Sequence, residues 1–360
     1  MIILAIDTSC DDTCVALIKA KKPHFKILSN IISSQVKIHK KWGGVVPILA
    51  KREHQKNLPT VLKKATKGTD ISKIDLIAVT IGPGLEPCLW QGVNFAKDLA
   101  RKLNLKIIPI NHIEAHILAN WLRPIGENFR NIFPAICLIV SGGHTQLILM
   151  RGVGKYKILG ETRDDAAGEC FDKAARILGL GYPGGPIISK LAKKINNGSR
   201  TSIILPSIIL PRPMIYQKNY DFSFSGLKTA VLYDFRSRSP KIKKSKEYIR
   251  AMCAEIQQAI IDVLIKKTIR AAREFRAKAI ILGGGVTANK GLRKQFREII
   301  KKNFPNTKYL IPNPKFCTDN AAMVGVTAYF HQKEAPPFAK ASGGKAKNWQ
   351  KIKINANLKI

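Results

Sequence analysis

The sequence predicts an α/β protein built from two similar lobes. Three observations carry this. Strand-length apolar runs alternate with helix-length segments from residue 2 to about residue 122, the pattern of an α/β domain. The strand–polar turn–strand unit IILAIDTSCDDTCVALI is echoed from residue 134 by PAICLIVSGGHTQLILM. This suggests a duplication in which each lobe opens with a hairpin whose turn faces a shared cleft. At 360 residues the chain also exceeds the ~250 residues beyond which single cores usually divide. The expected division is a first lobe over 1–130, a second over 131–330 with a helical insertion, and a basic tail over 331–360, expected to be poorly ordered.

The elements follow in order. Residues 2–8 read as an apolar strand ending in Asp7-Thr8-Ser9, and 12–18 as its hairpin partner. A polar helix is expected near 49–66, then a strand over Leu76–Thr80 and a break at Gly82-Pro83-Gly84. Apolar positions 93, 95, 96, 99, 100 and 103 predict a helix over Gln91–Leu103. A short strand, Lys106–Ile110, leads to Asn111, a good N-cap for a helix reaching about Leu122. The second hairpin starts at Pro134, a long helix is expected over 248–276, and strand Ala279–Leu282 ends in a glycine-rich turn.

Composition narrows the function classes. Lys and Arg number 61 against 24 Asp and Glu, a formal net charge of +37, while apolar content is an ordinary 45%. Such a surface attracts polyanions, and the apolar fraction argues against disorder. The excess is uneven: residues 186–310 hold 27 basic and 7 acidic side chains, and Arg236–Lys246 holds six basic and none acidic. This is either a solvated face or a track for nucleic-acid phosphates. Aromatics at 7% argue against a stacking platform. No apolar run approaches the ~18 residues of a membrane span, and no signal peptide is expected. Seven Cys without a C-x-x-C pair fit a reducing cytoplasm.

Three constellations carry chemistry. In His112-Ile113-Glu114-Ala115-His116 a helix would put both imidazoles on one face, where they can converge on a divalent metal or simply be satisfied surface histidines. Glu114 falls roughly 200° from His112 around the helix, unlike the base of an H-E-x-x-H protease. A metal would need an outside ligand. Asp319 is a candidate, in a turn opening a small-residue helix. Glycine turns after strands form the second group: Ser141-Gly142-Gly143-His144-Thr145, Gly181-Tyr182-Pro183-Gly184-Gly185 and Gly283-Gly284-Gly285-Val286. Their backbone N–H groups can approach an anion, although none is a P-loop or a G-x-G-x-x-G fingerprint. The third group is acidic. Asp7, Asp11 and Asp12 flank the first hairpin turn, and Asp164, Asp165, Glu169 and Asp172 cluster in ETRDDAAGECFDK. Carboxylates there can orient a metal, bind a ribose hydroxyl, take a proton, or cap a helix.

Together the stretches AIDTSCDDT, VTIGPGL, NHIEAH, LIVSGGHTQL, DDAAGECFDKAARILGLGYPGGP, FSFSGLKTAV, GGGVTANKGLR and CTDNAAM closely resemble the TsaD family of tRNA N6-adenosine threonylcarbamoyltransferases, in its bacterial branch. They occur in the family order and cover about residues 2–330. The resemblance implies the two-lobed actin/Hsp70/sugar-kinase (ASKHA) fold with an interlobe cleft. It implies one divalent metal on His112, His116 and Asp319, iron(2+) being the usual assignment, with zinc or magnesium as alternatives. It places L-threonylcarbamoyl-AMP against Val140, Ser141, Gly142, Gly143, His144, Asp172, Gly185 and Asn289. The acceptor would be N6 of the adenosine beside the anticodon (position 37) in tRNAs reading A-starting codons, with release of AMP. A TsaB-like partner paralogue and a small TsaE-like ATPase would assist, in the cytoplasm and without a membrane. Asp11, Asp12 and His144 are the catalytic candidates on this reading, Asp11 to assist the attacking amine. The chain departs from the family pattern at Asp12, where Glu is usual, and at Glu86, Pro87 and Trp90 after GPGL.

Two other classes compete. A sugar or acetate kinase of the same fold would not need a His pair meeting a distant Asp. A non-catalytic RNA-recruiting subunit would be expected to lack that pair.

Overall fold

The computed structural model describes residues 1–21, 24–122, 129–193, 208–332 and 352–360. The chain forms two compact units, Met1–Phe129 with Pro312–Ile360, and Arg130–Ile311. The first contains strands β1 (Ile2–Asp7), β2 (Asp12–Lys21), β3 (His24–Ser34), β4 (Leu76–Gly82) and β5 (Lys106–Asn111) in the order β3-β2-β1-β4-β5. β1, β2 and β3 form an antiparallel meander, and β4 and β5 run parallel to β1. The second contains β6 (Ala135–Val140), β7 (Thr145–Gly152), β8 (Lys155–Glu161), β9 (Ala279–Gly283) and β10 (Lys308–Leu310). Their order, β8-β7-β6-β9-β10, and the sense of every pairing repeat those of the first sheet. The echoed hairpins are therefore one topology used twice.

The central strands β1 and β6 are buried along almost their whole length, which explains why both read as continuous apolar runs rather than alternating ones. β3, an edge strand of alternating burial, escapes the sequence pattern because Ser29, Asn30 and Ser33 sit on its less exposed positions while Leu28 and Ile32 are exposed. The helix after β4 spans Glu86–Leu103 and begins five residues before the apolar periodicity does. Glu86 in its first turn and Pro87 near its start are the signals that set this boundary.

The largest difference from the sequence division lies after residue 311. The sequence division puts helix Ala321–His331 with the second lobe, but it packs in the first unit, in a core with Ile3, Ala5, Cys14, Ala16 and Ile18. Its first eight residues are all buried, and a helix apolar all round needs neighbours on several faces. Of the expected tail, 333–351 lie outside the described residues. The last nine do not fit the expectation of disorder: Ile352 is buried in a core with Leu4, Ile77 and Val93.

One buried cation in the second unit has a measurable consequence. Lys267, on helix Lys246–Glu274, is 0% exposed and donates from Nζ to the Asn219 carbonyl at 3.1 Å. Burial, and secondarily Arg270, pull its pKa down to about 8. The folded-state value is below the unfolded one, so this group lets stability rise as pH increases from 8 to about 10.5. Below pH 8 the buried charge is a standing cost. Lys267→Met should therefore raise unfolding free energy at pH 7 by about 1–3 kcal/mol. Asn219 keeps its Arg270 donor. Denaturant unfolding of both proteins should show the gain shrinking toward pH 10.5; equal or lower stability of the variant at pH 7 refutes the assignment.

Candidate metal centre and glycine-turn site

The His pair and its outside ligand meet within the first unit. Asn111 ends β5 and caps the next helix, His112–Leu118, its Oδ1 accepting from the N–H groups of Ile113 and Glu114 at 2.8 and 3.2 Å. This fixes where the helix begins, and so places His112 and His116 one turn apart on one face. Their rings lie 4.6 Å apart at 75°. Asp319 comes from the turn before helix Ala321–His331, whose N-cap Asn320 accepts from Met323 N–H and donates to the Thr318 carbonyl. The Asp319 carboxylate lies 3.4 Å from His112 Nε2 and 3.2 Å from His116 Nε2. One ligand atom from each residue falls within 4.8 Å of the others.

The donor chemistry fits a divalent ion. His116 is 1% exposed, its Nδ1 has no hydrogen-bond partner, and its Nε2 faces only the Asp319 carboxylate, an arrangement costly for a buried imidazole unless a cation shares the site. Asp7, at the end of β1, faces the other nitrogen of His112, Nδ1, at 3.4 Å. A carboxylate behind a ligating imidazole orients the ring and raises its basicity. Burial disfavours a charged His112, but Asp7 and Asp319 outweigh it and push its pKa up to about 10. Burial and the charge on His112 together hold His116 low. Burial alone would raise Asp319; the two histidines overcome it and hold its carboxyl well below the usual range.

Glu114 turns away from this centre. It is buried, and its Oε2 contacts His331 Nε2 at 2.9 Å, tying the His helix to helix Ala321–His331. It is a packing partner and not a base beside the ligands. His39 and His54 are likewise satisfied core histidines, bonded to Gln35 and to Thr13 and Cys10.

Asp11 and Asp12 close the same end of the sheet. Burial, with Asp319 nearby, raises the Asp11 pKa. Burial lifts Asp12 to about 7, with Asp319, Asp11 and Asp7 adding and the Ser34 hydroxyl opposing. In a chain with so few acids, this concentration of carboxylates can serve a cation. Asp7, grouped from the sequence with Asp11 and Asp12 as a carboxylate that could orient a metal, stands behind His112; its specific partner is not legible from spacing.

The other candidates belong to the second unit. Val140 ends β6, and Ser141–His144 form the turn to β7, closed by Ser141 N–H to the His144 carbonyl at 2.8 Å and by His144 N–H to Ser141 Oγ at 3.1 Å. A Cβ on Gly142 or Gly143 would meet nothing within 4 Å. The tip of the turn is thus exposed, with open space on the Cβ side of both glycines. Behind it the packing is closed. Gly168 N–H donates to the Ser141 carbonyl, and Gly284, at φ +89°, lies against the Val140 backbone where a Cβ would overlap it. The turns after β6 and β9 and the start of helix Ala167–Ile177 therefore meet at one end of the sheet. In α/β sheets this carboxyl end is where ligands bind.

Two residues expected on the substrate also have structural duties. Asp172 Oδ1 accepts from Gly184 N–H at 2.7 Å, which holds the start of helix Gly184–Ala192 against helix Ala167–Ile177, so this glycine run follows a helix and not a strand. Asn289 caps helix Lys290–Asn303 through Leu292 N–H and donates to Gln257. The rest of the acidic cluster is used for scaffolding. Asp164 accepts from the N–H groups of Phe224 and Ser225 and from the hydroxyls of Ser223 and Ser225, all at the start of helix Ser225–Ser237. Asp165 pairs with Lys173 and Lys228.

With this geometry in place, the chain can be set beside known proteins. A family model described as tRNA N6-adenosine threonylcarbamoyltransferase matches residues 26–326. The protein of that name from Thermosipho africanus is 47% identical over 336 residues, 91% of this chain and 94% of the relative. The one from Geobacillus thermodenitrificans is 42% identical over 350 residues, 95% and 96% of the two chains. Among solved structures, HypF of T. kodakarensis aligns over 91% of this chain and 47% of its own, with a TM-score of 0.54 and 12% identity. That likeness concerns the fold alone.

Proposed function

Since the chain belongs to the family of tRNA N6-adenosine threonylcarbamoyltransferases and is a transferase that modifies tRNA, we propose that it moves the threonylcarbamoyl group of L-threonylcarbamoyl-AMP to N6 of the adenosine at position 37, releasing AMP. The observation that carries this is the buried cluster of His112, His116 and Asp319, with an unpartnered Nδ1 on His116. A sugar kinase has no evident use for it, and an RNA-recruiting subunit would not need it.

The N6 amine attacks the carbamoyl carbon, the bond to phosphate oxygen breaks, and the amine proton is lost. Adenine N6 is a weak nucleophile, so placement contributes more than base strength. Backbone N–H groups of Gly142 and Gly143, in the open turn after β6, donate to the anionic adenylate and to charge that grows on the departing phosphate. His144 in the same turn contacts the carboxylate or phosphate, and Val140, Ser141, Asp172, Gly185 and Asn289 hold the nucleotide. Asp11 orients the amine. Asp12, with a carboxyl poised near neutrality, receives its proton. His112, His116 and Asp319 would hold a divalent ion, iron(2+) being the first choice and zinc or magnesium the alternatives. Such an ion supplies Lewis-acid stabilisation of negative charge.

A TsaB-like paralogue and a TsaE-like ATPase complete the proposed assembly, and the cytoplasm is its proposed location. No helix among the described residues is long and apolar enough to cross a membrane. The reconstitution that tests this function supplies the chain with those partners, threonylcarbamoyl-AMP and unmodified tRNA, and then analyses the digested RNA. Absence of threonylcarbamoyladenosine overturns the reading.

The tRNA path is proposed along the basic run Arg236–Lys246. Arg238 there is engaged with Asp234, and Lys243 lies over Phe235, so these two serve the local fold. Arg236, Lys241, Lys244 and Lys246 are exposed. Replacing those four with Gln should weaken tRNA binding and reduce its salt dependence, by roughly 0.7–0.9 in the slope of log K on log salt for each phosphate that is no longer neutralised. Unchanged affinity and slope in filter binding would make this run a solvated face.

A further inference from the structure

The last nine residues, Ile352–Ile360, lie against the first unit, with a turn at Ala356-Asn357 closed by Leu358 N–H to the Asn355 carbonyl at 3.1 Å. Their burial alternates along the chain: Ile352, Ile354, Ala356, Leu358 and Ile360 are the more buried positions, and Lys353, Asn355, Asn357 and Lys359 are exposed. Ile352 and Ile354 join the core beneath β4. Asn355 N–H donates to the Ile81 carbonyl at 2.9 Å, and the Ala356 carbonyl accepts from Gly84 N–H at 3.1 Å, just where β4 ends. Lys97 Nζ holds the Ile352 carbonyl at 2.8 Å. The segment then reaches the end of the neighbouring strand β5, where Asn111 Nδ2 donates to the Lys359 carbonyl at 3.2 Å. Gly82 belongs to this arrangement: it has φ +150°, and a Cβ there would overlap the Asn355 carbonyl.

Asn111 thus works with both ends of its carboxamide. The oxygen caps the helix carrying His112 and His116, and the nitrogen is held by the terminal segment. We infer that Ile352–Ile360 is a strap which, through Asn111, positions the start of the His112–Leu118 helix and with it the metal-binding histidines. The metal part of this inference rests on the function proposed above; the link between strap and helix does not. Without the strap, the carboxamide is free to turn toward water, and the first N–H groups of the helix lose a fixed acceptor.

The test uses hydrogen exchange on the metal-free full chain and on a chain ending at Lys351. The amides of Ile113 and Glu114 should exchange at least about tenfold faster in the shortened chain, while those of Ala5 and Ile6 in β1 stay unchanged. Adding the nonapeptide of residues 352–360 should restore protection, and a scrambled peptide should not. Exchange at Ile113 and Glu114 within twofold of the full chain overturns the inference, as does acceleration shared by β1, which would make the strap a general stabiliser. If the shortened chain does not fold, Ile352→Ser with Ile354→Ser in the full chain carries the same measurement. A parallel Co²⁺ titration should show at least fivefold weaker binding without the strap. If the full chain takes no Co²⁺, the metal reading fails while the exchange result still decides the strap.

Discussion

Replacing His112, His116 or Asp319 with Ala is expected to leave a folded protein that retains no metal and yields at least about 100-fold less modified nucleoside. The expectation follows from how little else the three side chains do. Their contacts are mainly with one another and with Asp7, and His116 Nδ1 has no hydrogen-bond partner. His116→Ala should cost the fold least, since its Nδ1 has no partner, whereas His112→Ala leaves the Asp7 and Asp319 carboxylates buried without their cationic neighbour and should cost more. Metal analysis, thermal unfolding and the tRNA assay on the same samples separate the possibilities. Full product from all three variants would remove the metal from the mechanism. Loss of product with loss of folding would make the cluster structural. Asp7→Asn should be milder, with metal affinity lower by about 10- to 100-fold and the ligand set intact.

Gly284→Val is expected to destabilise the second unit by about 3–5 kcal/mol, from a clash with the Val140 backbone and a β-branched residue forced to positive φ. Val140 cannot move aside, because it lies between β7 and the turn after β9 at the end of the central strand. For a unit of this size the change lowers Tm by about 10 °C. Gly142→Ala is the informative contrast. It has open space around its Cβ position and no positive φ, so Tm should move by less than about 2 °C. If the turn holds the adenylate, the same methyl should raise KM several-fold. A large loss of stability in Gly142→Ala, or none in Gly284→Val, would contradict the packing described.

Much of the fold is legible in the sequence because its central strands are buried on both faces. β1 and β6 are uninterrupted apolar runs, each followed by a polar turn and an apolar partner, and this repetition alone discloses the duplication. The edge strand β3 is not legible, since an edge with one wet face carries a weak pattern. The strap is hidden for another reason. Its alternation, Ile352, Ile354, Ala356, Leu358 and Ile360, is plain, but it follows a Lys- and Gly-containing stretch whose charge is the stronger signal. The helix beginning at Glu86 is legible only from Gln91 because periodicity starts where the helix meets the core, whereas Pro87 and Glu86 mark its true start.

The site divides along the same line. The i, i+4 spacing of His112 and His116 is a local property of a helix, and Asn111 fixes that helix from one position away. The chain by itself thus determined that two imidazoles share a face, that Glu114 does not join them, and that glycine turns follow β6 and β9. Other facts needed the tertiary structure: that Asp319, about 200 residues downstream, completes the cluster, that Asp7 stands behind His112, that Asp164 serves a helix start, and that the last nine residues brace Asn111. Sequence spacing encodes geometry only over the few residues that one helix turn or one hairpin fixes rigidly. Beyond that range, the separation between two side chains is set by which apolar faces pack together, as when the all-round apolar helix Ala321–His331 docks on β1 and β2 and carries Asp319 to the histidines.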